Sequence, residues 1–147
     1  MSFDWGLYID LANELGGRPE ESAKRTAVSR AYYAAFHAAS ASLHMNNIKT
    51  DPKFSHNTHT KVWNVYVISA RKDCRRIGAK GMRLKNDRRE ADYKADSVFA
   101  LVRVQECINA ARNLVTSVGV NLPEGFSGIP TSPIADAIRT IRQILRI

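Results

Sequence analysis

Residues 20–44 read EESAKRTAVSRAYYAAFHAASASLH, and this run decides the fold class. It contains neither Gly nor Pro, it follows Pro19, and Glu20 and Glu21 supply the acidic first turn expected where a helix begins. Its many alanines favour helix and let a neighbouring backbone approach closely, while Tyr32 and Phe36 supply bulk. The run therefore predicts a long helix at the centre of an all-α domain.

Helical periodicity precedes this run. Apolar residues from Trp5 to Leu15 recur at steps of three and four, and Gly16-Gly17 ends that segment. After the run, residues 45–57 contain paired Asn and Asp51-Pro52, which predicts a loop that Asn57 or Thr58 closes as an N-cap. A first helix, the long second helix and a third helix starting near residue 58 are therefore expected.

The second half of the chain predicts further helix. The third helix is expected to run to about Ile77, where Gly78 and Gly81 interrupt the pattern. An apolar stripe at steps of three and four then extends from Ala91 to Val118, which predicts one more long helix. Four helices with few breaks predict a helical bundle over residues 1–118.

The last part of the chain changes in character. Residues 119–133 hold three Gly and three Pro, which is typical of a linker. Residues 134–147 place Ile134, Ile138, Ile141 and Leu145 on one stripe and Arg139, Arg142 and Arg146 on another. We expect an extra C-terminal basic amphipathic helix, packed either on the bundle or on a partner.

Composition narrows the class of protein. A chain of 147 residues with 44% hydrophobic and 24% charged residues is typical of one globular domain. The sequence has no secretory leader pattern and no unbroken apolar run long enough for a membrane span. We therefore expect a cytoplasmic protein that neither spans a membrane nor binds one. Cys74 and Cys107 stand far apart with no CxxC pair, which favours reduced structural thiols.

The net charge of +8 suggests a polyanionic partner, and most of the excess lies between residues 71 and 90. This stretch is either a solvated helix end with its loop or a phosphate-binding surface, and the local concentration of cations favours the second interpretation. The residues expected to contact nucleic acid are Arg71, Lys72, Arg75, Arg76, Lys80, Arg83, Lys85 and Arg89.

A family resemblance rests on two motifs. Residues 29–39 read SRAYYAAFHAA, residues 88–93 read RREADY, and Ser55-His56 precedes the third helix. Over roughly residues 20–118 the chain resembles HEPN-domain proteins of bacteria and archaea. The resemblance implies an antiparallel four- to five-helix bundle, commonly a homodimer. Many members of the family are metal-independent ribonucleases, and no cofactor is expected. Some members are toxins neutralised by a nucleotidyltransferase-type antitoxin, and others serve antiviral defence against phage.

Active members of the family carry an Arg followed, after four to six residues, by a His. Arg30 and His37 match that spacing, and residues seven apart lie about 20° apart around a helix, so both project from one face. An alternative is that Arg30 pairs with a carboxylate such as Asp92 while His37 is a satisfied polar residue within the bundle.

A second candidate site lies where nuclease members usually carry Arg, His and Tyr. Arg88 and Tyr93 are present, but Asp92 and its neighbours occupy the positions around the expected His. A carboxylate is negatively charged at neutral pH and repels a phosphodiester, so Asp92 is a poor replacement for an imidazole. Arg88 and Asp92, one helical turn apart, could instead form an exposed ion pair.

Tyrosine and histidine residues near these motifs also allow two interpretations each. Tyr32, Tyr33 and Tyr93 could stack on bases, although tyrosines in a bundle more often belong to the core. His56 and His59 could hold a metal ion only with a third ligand, and none is evident, so no metal site is predicted.

Three functional hypotheses follow for the chain. The first is a ribonuclease of a toxin-antitoxin or phage-defence system, in which the catalytic residues are Arg30, His37, Arg88, Asp92 and Tyr93. His37 and the His37 of a second copy would act as base and acid, and Arg30 or Arg88 would hold a non-bridging oxygen. The second is a non-catalytic HEPN module that binds a nucleotidyltransferase or another protein. The third is a sequence-tolerant RNA-binding protein without activity.

Overall fold

A computed structural model describes residues 3–54 and 56–120. Within these residues the chain forms five α-helices and no strand, which confirms the all-α prediction. The helices are α1 (Leu7–Gly16), α2 (Glu21–Met45), α3 (Thr58–Val67), α4 (Lys72–Tyr93) and α5 (Leu101–Val120), with a short 3₁₀ turn at Pro52–Phe54. No helix in this part of the chain is long and apolar enough to cross a membrane.

The C-terminal predictions fall mainly beyond these residues. Of the predicted linker at 119–133, only residues 119 and 120 are described, and both belong to α5. The amphipathic helix predicted at residues 134–147 lies outside the described residues.

The predicted central helix is α2, which contacts all four other helices. Ala27, Ala31, Ala34, Ala35 and Ala39 have no exposed surface, because the other helices lie directly against these small side chains. Larger residues of the other helices fill the remaining space, and Trp63 is wholly buried. The core thus surrounds α2, which carries the first of the two sequence motifs.

The predicted course of the third helix was wrong. It ends at Val67 rather than near Ile77, and the basic stretch that follows is the separate helix α4. Gly78 and Gly81 do not interrupt this helix but lie buried inside it. A Cβ added to Gly78 would lie 2.5 Å from the backbone nitrogen of Val67. The two glycines therefore mark the close contact between α3 and α4, not a break.

The single helix expected from Ala91 to Val118 is also divided, because α4 ends at Tyr93 and α5 begins at Leu101. Side chains of α2 hold the connection. Arg25 donates hydrogen bonds to the carbonyl oxygens of Ala91 (3.0 Å) and Lys94 (2.8 Å), and also to that of Ser97. Contacts with a distant helix therefore fix a turn that the apolar periodicity does not reveal.

Candidate active site

The two motifs meet at the ring of Tyr33. The guanidinium carbon of Arg30 lies 5.2 Å from the Tyr33 ring centroid, and that of Arg88 lies 5.6 Å from the same centroid. Both distances are within the range of cation–π attraction. Arg30 comes from α2 and Arg88 from α4, so packing of these helices combines the two candidate sites that the sequence placed 58 residues apart.

Arg88 is buried, with 6% of its surface exposed, and its guanidinium also lies 5.4 Å from the Tyr32 ring centroid. Asp92 pairs with Arg88 at 3.6 Å and accepts a hydrogen bond from Ser29 Oγ at 3.4 Å. The expected Arg88–Asp92 pair is therefore present, but its cation is not exposed. No pairing of Asp92 with Arg30 is found in the described residues.

The two arginines have unused hydrogen-bonding capacity. The Nε atoms of Arg30 and Arg88 are buried and have no hydrogen-bond partner within the described residues. Arg30 makes cation–π contacts, including one with Tyr8 at 5.0 Å, but no ion pair in this part of the chain. Because a guanidinium is always charged and its fork suits phosphate oxygens, the pair forms an electropositive centre, in which Arg88 is already paired with Asp92.

His37 lies beside this centre, one turn beyond Tyr33 on α2. Its ring stacks on Trp5, with centroids 3.6 Å apart and an interplanar angle of 14°, and it lies 6.0 Å from the Tyr33 ring. Burial lowers the pKa of His37 below its usual 6.5. Near neutral pH the imidazole is therefore mainly neutral and able to accept a proton.

A second imidazole, that of His59, reaches the same cluster from α3. Its ring lies 4.4 Å from Phe36 and 5.9 Å from Tyr33, and its Nδ1 atom is 2.8 Å from the Tyr32 hydroxyl. Burial is the main cause that lowers the pKa of His59, and the charges of Arg88 and Lys85 add to it. Both imidazoles are thus held mainly neutral near pH 7.

Sequence reasoning considered His59 only as a metal ligand and missed this position. A usable signal was present, because His59 lies three and four residues before Val62 and Trp63, on the apolar face of α3. His56, which was considered with it, is exposed. In the described part of the chain, no group of three or more His, Cys, Asp or Glu residues is arranged to hold a metal ion.

The three tyrosines occupy different environments. Tyr32 is wholly buried, Tyr33 is half-buried between the arginines, and Tyr93 is 75% exposed at the end of α4. The Tyr93 ring still lies 6.0 Å from the Arg88 guanidinium carbon. Tyr32 is therefore a core residue, whereas Tyr93 lies at the edge of the cluster with its ring available for stacking.

The residues expected to bind nucleic acid divide into two groups. Lys85 is buried, and its Nζ atom donates to Thr60 Oγ1 at 3.0 Å, so it belongs to the cluster rather than to the surface. Arg71 forms an ion pair with Asp73 at 2.6 Å, and Arg75 donates to the carbonyl oxygens of Ser69 and Ala70. The remaining members of this predicted set are exposed and have no partner in the described residues: Lys72, Arg76, Lys80, Arg83 and Arg89.

These exposed cations follow α4 toward its C-terminal half, which also carries Arg88. A helix of 22 residues is about 33 Å long, so the cations extend over several phosphate spacings of a nucleic acid. We name the surface formed by Lys72, Arg76, Lys80 and Arg83 the α4 basic surface, and Arg89 lies on another side of the helix. Arg88 lies on the buried side of the same helix.

Comparison with known proteins gives one match. A family model described as the HEPN domain matches residues 19–121, which includes both motifs and α2 to α5. No curated protein and no solved structure shows significant similarity to the chain.

Proposed function

Because the chain belongs to the HEPN family, we propose that it acts on RNA as a metal-independent endoribonuclease. The observation that carries this proposal is the cluster around Tyr33, where the guanidinium groups of Arg30 and Arg88 meet the imidazoles of His37 and His59. Phosphodiester cleavage without a metal requires cationic groups beside the phosphate oxygens, an imidazole that accepts a proton and an imidazolium that donates one.

The reaction that we propose begins with the 2′-hydroxyl of the RNA. His37 accepts the proton of this hydroxyl as its oxygen attacks the adjacent phosphorus, and Arg30 and Arg88 stabilise the charge on the non-bridging oxygens. The bond from phosphorus to the 5′-oxygen then breaks, and that oxygen takes a proton from an imidazolium. The products are a 2′,3′-cyclic phosphate and a 5′-hydroxyl. The acid of this scheme is the His37 of another copy in a homodimer, which must take up a proton before the reaction. The negative charge of the bound phosphodiester favours that protonated form.

The α4 basic surface supplies the binding part of the proposal. Its exposed cations can contact RNA phosphates, and such contacts bind RNA without reading its sequence. Exposed Tyr93 provides a ring on which an unpaired base can stack. Asp92 has a structural part in this scheme, since its carboxylate orients Arg88.

We extend the proposal to the biological setting that the family suggests. The protein would be the toxin of a toxin-antitoxin pair or an effector of phage defence, and a nucleotidyltransferase-type antitoxin or another defence protein would be its partner.

A second function is favoured by one specific observation. Asp92 occupies the place at which nuclease members carry a His, and its carboxylate is paired with the buried Arg88. This arrangement suits a non-catalytic HEPN module in which the cluster binds a nucleotidyltransferase-type partner or RNA without cleaving it.

Cleavage of transfer RNA and structured RNA by the purified full chain in EDTA tests the proposal. His37→Ala should abolish cleavage, whereas His44→Ala, which alters an exposed residue of the same helix, should leave it unchanged. Equal cleavage by both variants would contradict the role of His37. Absence of cleavage by the unmodified protein, together with salt-dependent RNA binding, would favour the non-catalytic module.

A further inference from the structure

A chain of hydrogen bonds runs through the core to His59. The indole Nε1 of Trp63 donates to the Tyr32 hydroxyl at 3.1 Å, and that hydroxyl lies 2.8 Å from Nδ1 of His59. Trp63 and Tyr32 have no exposed surface, so solvent does not compete for these groups. The chain thus connects the buried centre of the bundle to the candidate active site.

The chemistry of the donors sets the direction of this chain. An indole nitrogen can only donate, so the Tyr32 oxygen accepts from Trp63. The Tyr32 hydroxyl has one proton, and within the described residues Nδ1 of His59 is the only other group that it reaches. Tyr32 therefore donates to Nδ1. A neutral imidazole that accepts at Nδ1 carries its own proton on Nε2.

We infer that Trp63 and Tyr32 hold His59 as the neutral imidazole with its proton on Nε2, which makes it a hydrogen-bond donor to a phosphate oxygen. The identity of that phosphate rests on the proposed function. The protonation state of His59 does not, because it follows from the hydrogen bonds alone. In the proposed reaction, His59 acts beside Arg88 on a non-bridging oxygen. His37 remains the base. Within the described residues no hydrogen bond is made to its ring nitrogens, so its unprotonated nitrogen is left to accept a proton.

The surroundings of His59 favour this neutral state. Arg88 and Lys85 face it from α4, and His37 faces it from α2, and each of these groups opposes a positive charge on the imidazole. The ring of Phe36, 4.4 Å away, has no negative charge that would stabilise a protonated His59. A neutral imidazole close to two cations still polarises a phosphate, because its N–H dipole needs no additional charge to act.

Nitrogen-15 NMR of the histidine rings in the full chain tests the protonation state without any substrate. Near neutral pH, His59 should show an unprotonated Nδ1 and a protonated Nε2. In Tyr32→Phe the same ring should become a mixture of both tautomers, while the signals of His37 stay as they were. A protonated Nδ1 in the unmodified protein, or a mixture there, would overturn the inference.

The catalytic part is tested with two replacements of His59. The amide nitrogen of Gln can occupy the place of Nε2 and donate, so His59→Gln should keep cleavage within about tenfold of the unmodified protein. His59→Ala lacks the donor and should lose about 100-fold or more in kcat, as expected for removal of one donor to a developing charge. Equal losses in both variants would show that His59 transfers a proton, which contradicts its role as a neutral donor.

These two experiments separate the inference from the proposed function. If the NMR result is as expected but the unmodified protein does not cleave RNA, the hydrogen-bond chain stands and the ribonuclease proposal fails. If Tyr32→Phe does not fold, the unmodified protein alone still reports the tautomer. The conservative variant Trp63→Phe then provides the second comparison, since it removes the donor to Tyr32 and keeps an aromatic ring.

Discussion

The indole of Trp63 occupies the space into which a side chain of residue 81 would project. A Cβ added to Gly81 would lie 2.5 Å or less from three atoms of this ring. Trp63 is also the donor that starts the hydrogen-bond chain to His59, so the absence of a side chain at Gly81 positions a ring on which the candidate site depends.

The first prediction follows from that contact. Gly81→Ala should lower the free energy of unfolding by about 3 kcal/mol, because neither the ring of Trp63 nor the backbone of α4 can move far in a packed core. Chemical denaturation monitored by tryptophan fluorescence measures the effect. Gly119→Ala is the matched control, since nothing lies within 4 Å of its new Cβ. There the higher helix propensity of Ala should raise the free energy of unfolding by about 0.5 kcal/mol. Equal effects at the two positions would contradict the close α3–α4 contact.

The second prediction concerns stability and pH. The pKa values of His37 and His59 are lowered in the folded state, so the unfolded chain binds more protons once the pH falls to about 6.5. The free energy of unfolding should therefore decrease as the pH is lowered from 7 through 6.5. Each imidazole contributes at most about 1.4 kcal/mol per pH unit in this window.

Urea denaturation at a series of pH values checks this dependence. In the double variant His37→Gln with His59→Gln, the slope between pH 7 and 5 should largely disappear. A separate loss is expected at lower pH, because hydrogen bonds from Arg103 and Ser97 lower the pKa of Glu90 to about 2. The stabilisation that Glu90 contributes is fully present above its usual pKa of 4.5 and is lost as the pH falls toward 2. If the double variant kept the slope between pH 7 and 5, groups other than His37 and His59 would be the cause of that pH dependence.

The third prediction concerns the contact between α4 and α5. Arg103 donates to both Asp87 and Glu90 at 2.7 Å, and its guanidinium lies 4.4 Å from the Phe99 ring. Because these side chains are partly buried, Arg103→Ala should destabilise the protein by about 1 to 2 kcal/mol.

Arg18→Ala provides the comparison for Arg103. Arg18 pairs with Glu14 at 2.9 Å, but both side chains are more than half exposed, so the change should cost no more than about 0.5 kcal/mol. Thermal and urea denaturation of both variants measure the difference. If the two losses were equal, the partly buried ion-pair network would add nothing beyond a surface pair.

The fourth prediction concerns the α4 basic surface. Replacing Arg76 and Lys80 with Gln should weaken RNA binding and reduce the slope of log K against log salt by about 1.4, since each lost phosphate contact removes about 0.7 for a single strand. Fluorescence anisotropy with a labelled RNA at several salt concentrations gives this slope. The variant Arg18→Gln with Lys53→Gln loses the same charge from other elements and should keep the slope. Identical slopes would exclude the α4 basic surface as the RNA contact.

Local sequence determined the class of the fold and the extent of α2. A helix needs residues with good propensity, a start signal and a repeat near 3.6, and residues 20–44 carry all three, so the expected end at His44 differs from Met45 by one residue. The same reasoning placed Arg30 and His37 on one face. Both lie in the cluster around Tyr33, although the stacking of His37 on Trp5 could not be read from spacing.

Other features depend on residues that are far apart in the chain, and only the tertiary structure decided them. Gly78 and Gly81 are helix breakers by propensity, but the approach of α3 makes them necessary inside α4. The division between α4 and α5 depends on Arg25 of α2. His59 lies in the site because its ring nitrogen is hydrogen-bonded to the Tyr32 hydroxyl, and these two residues are 27 positions apart in the chain. Periodicity reports which face of a helix is buried, but the partner of that face is set by packing of the whole bundle.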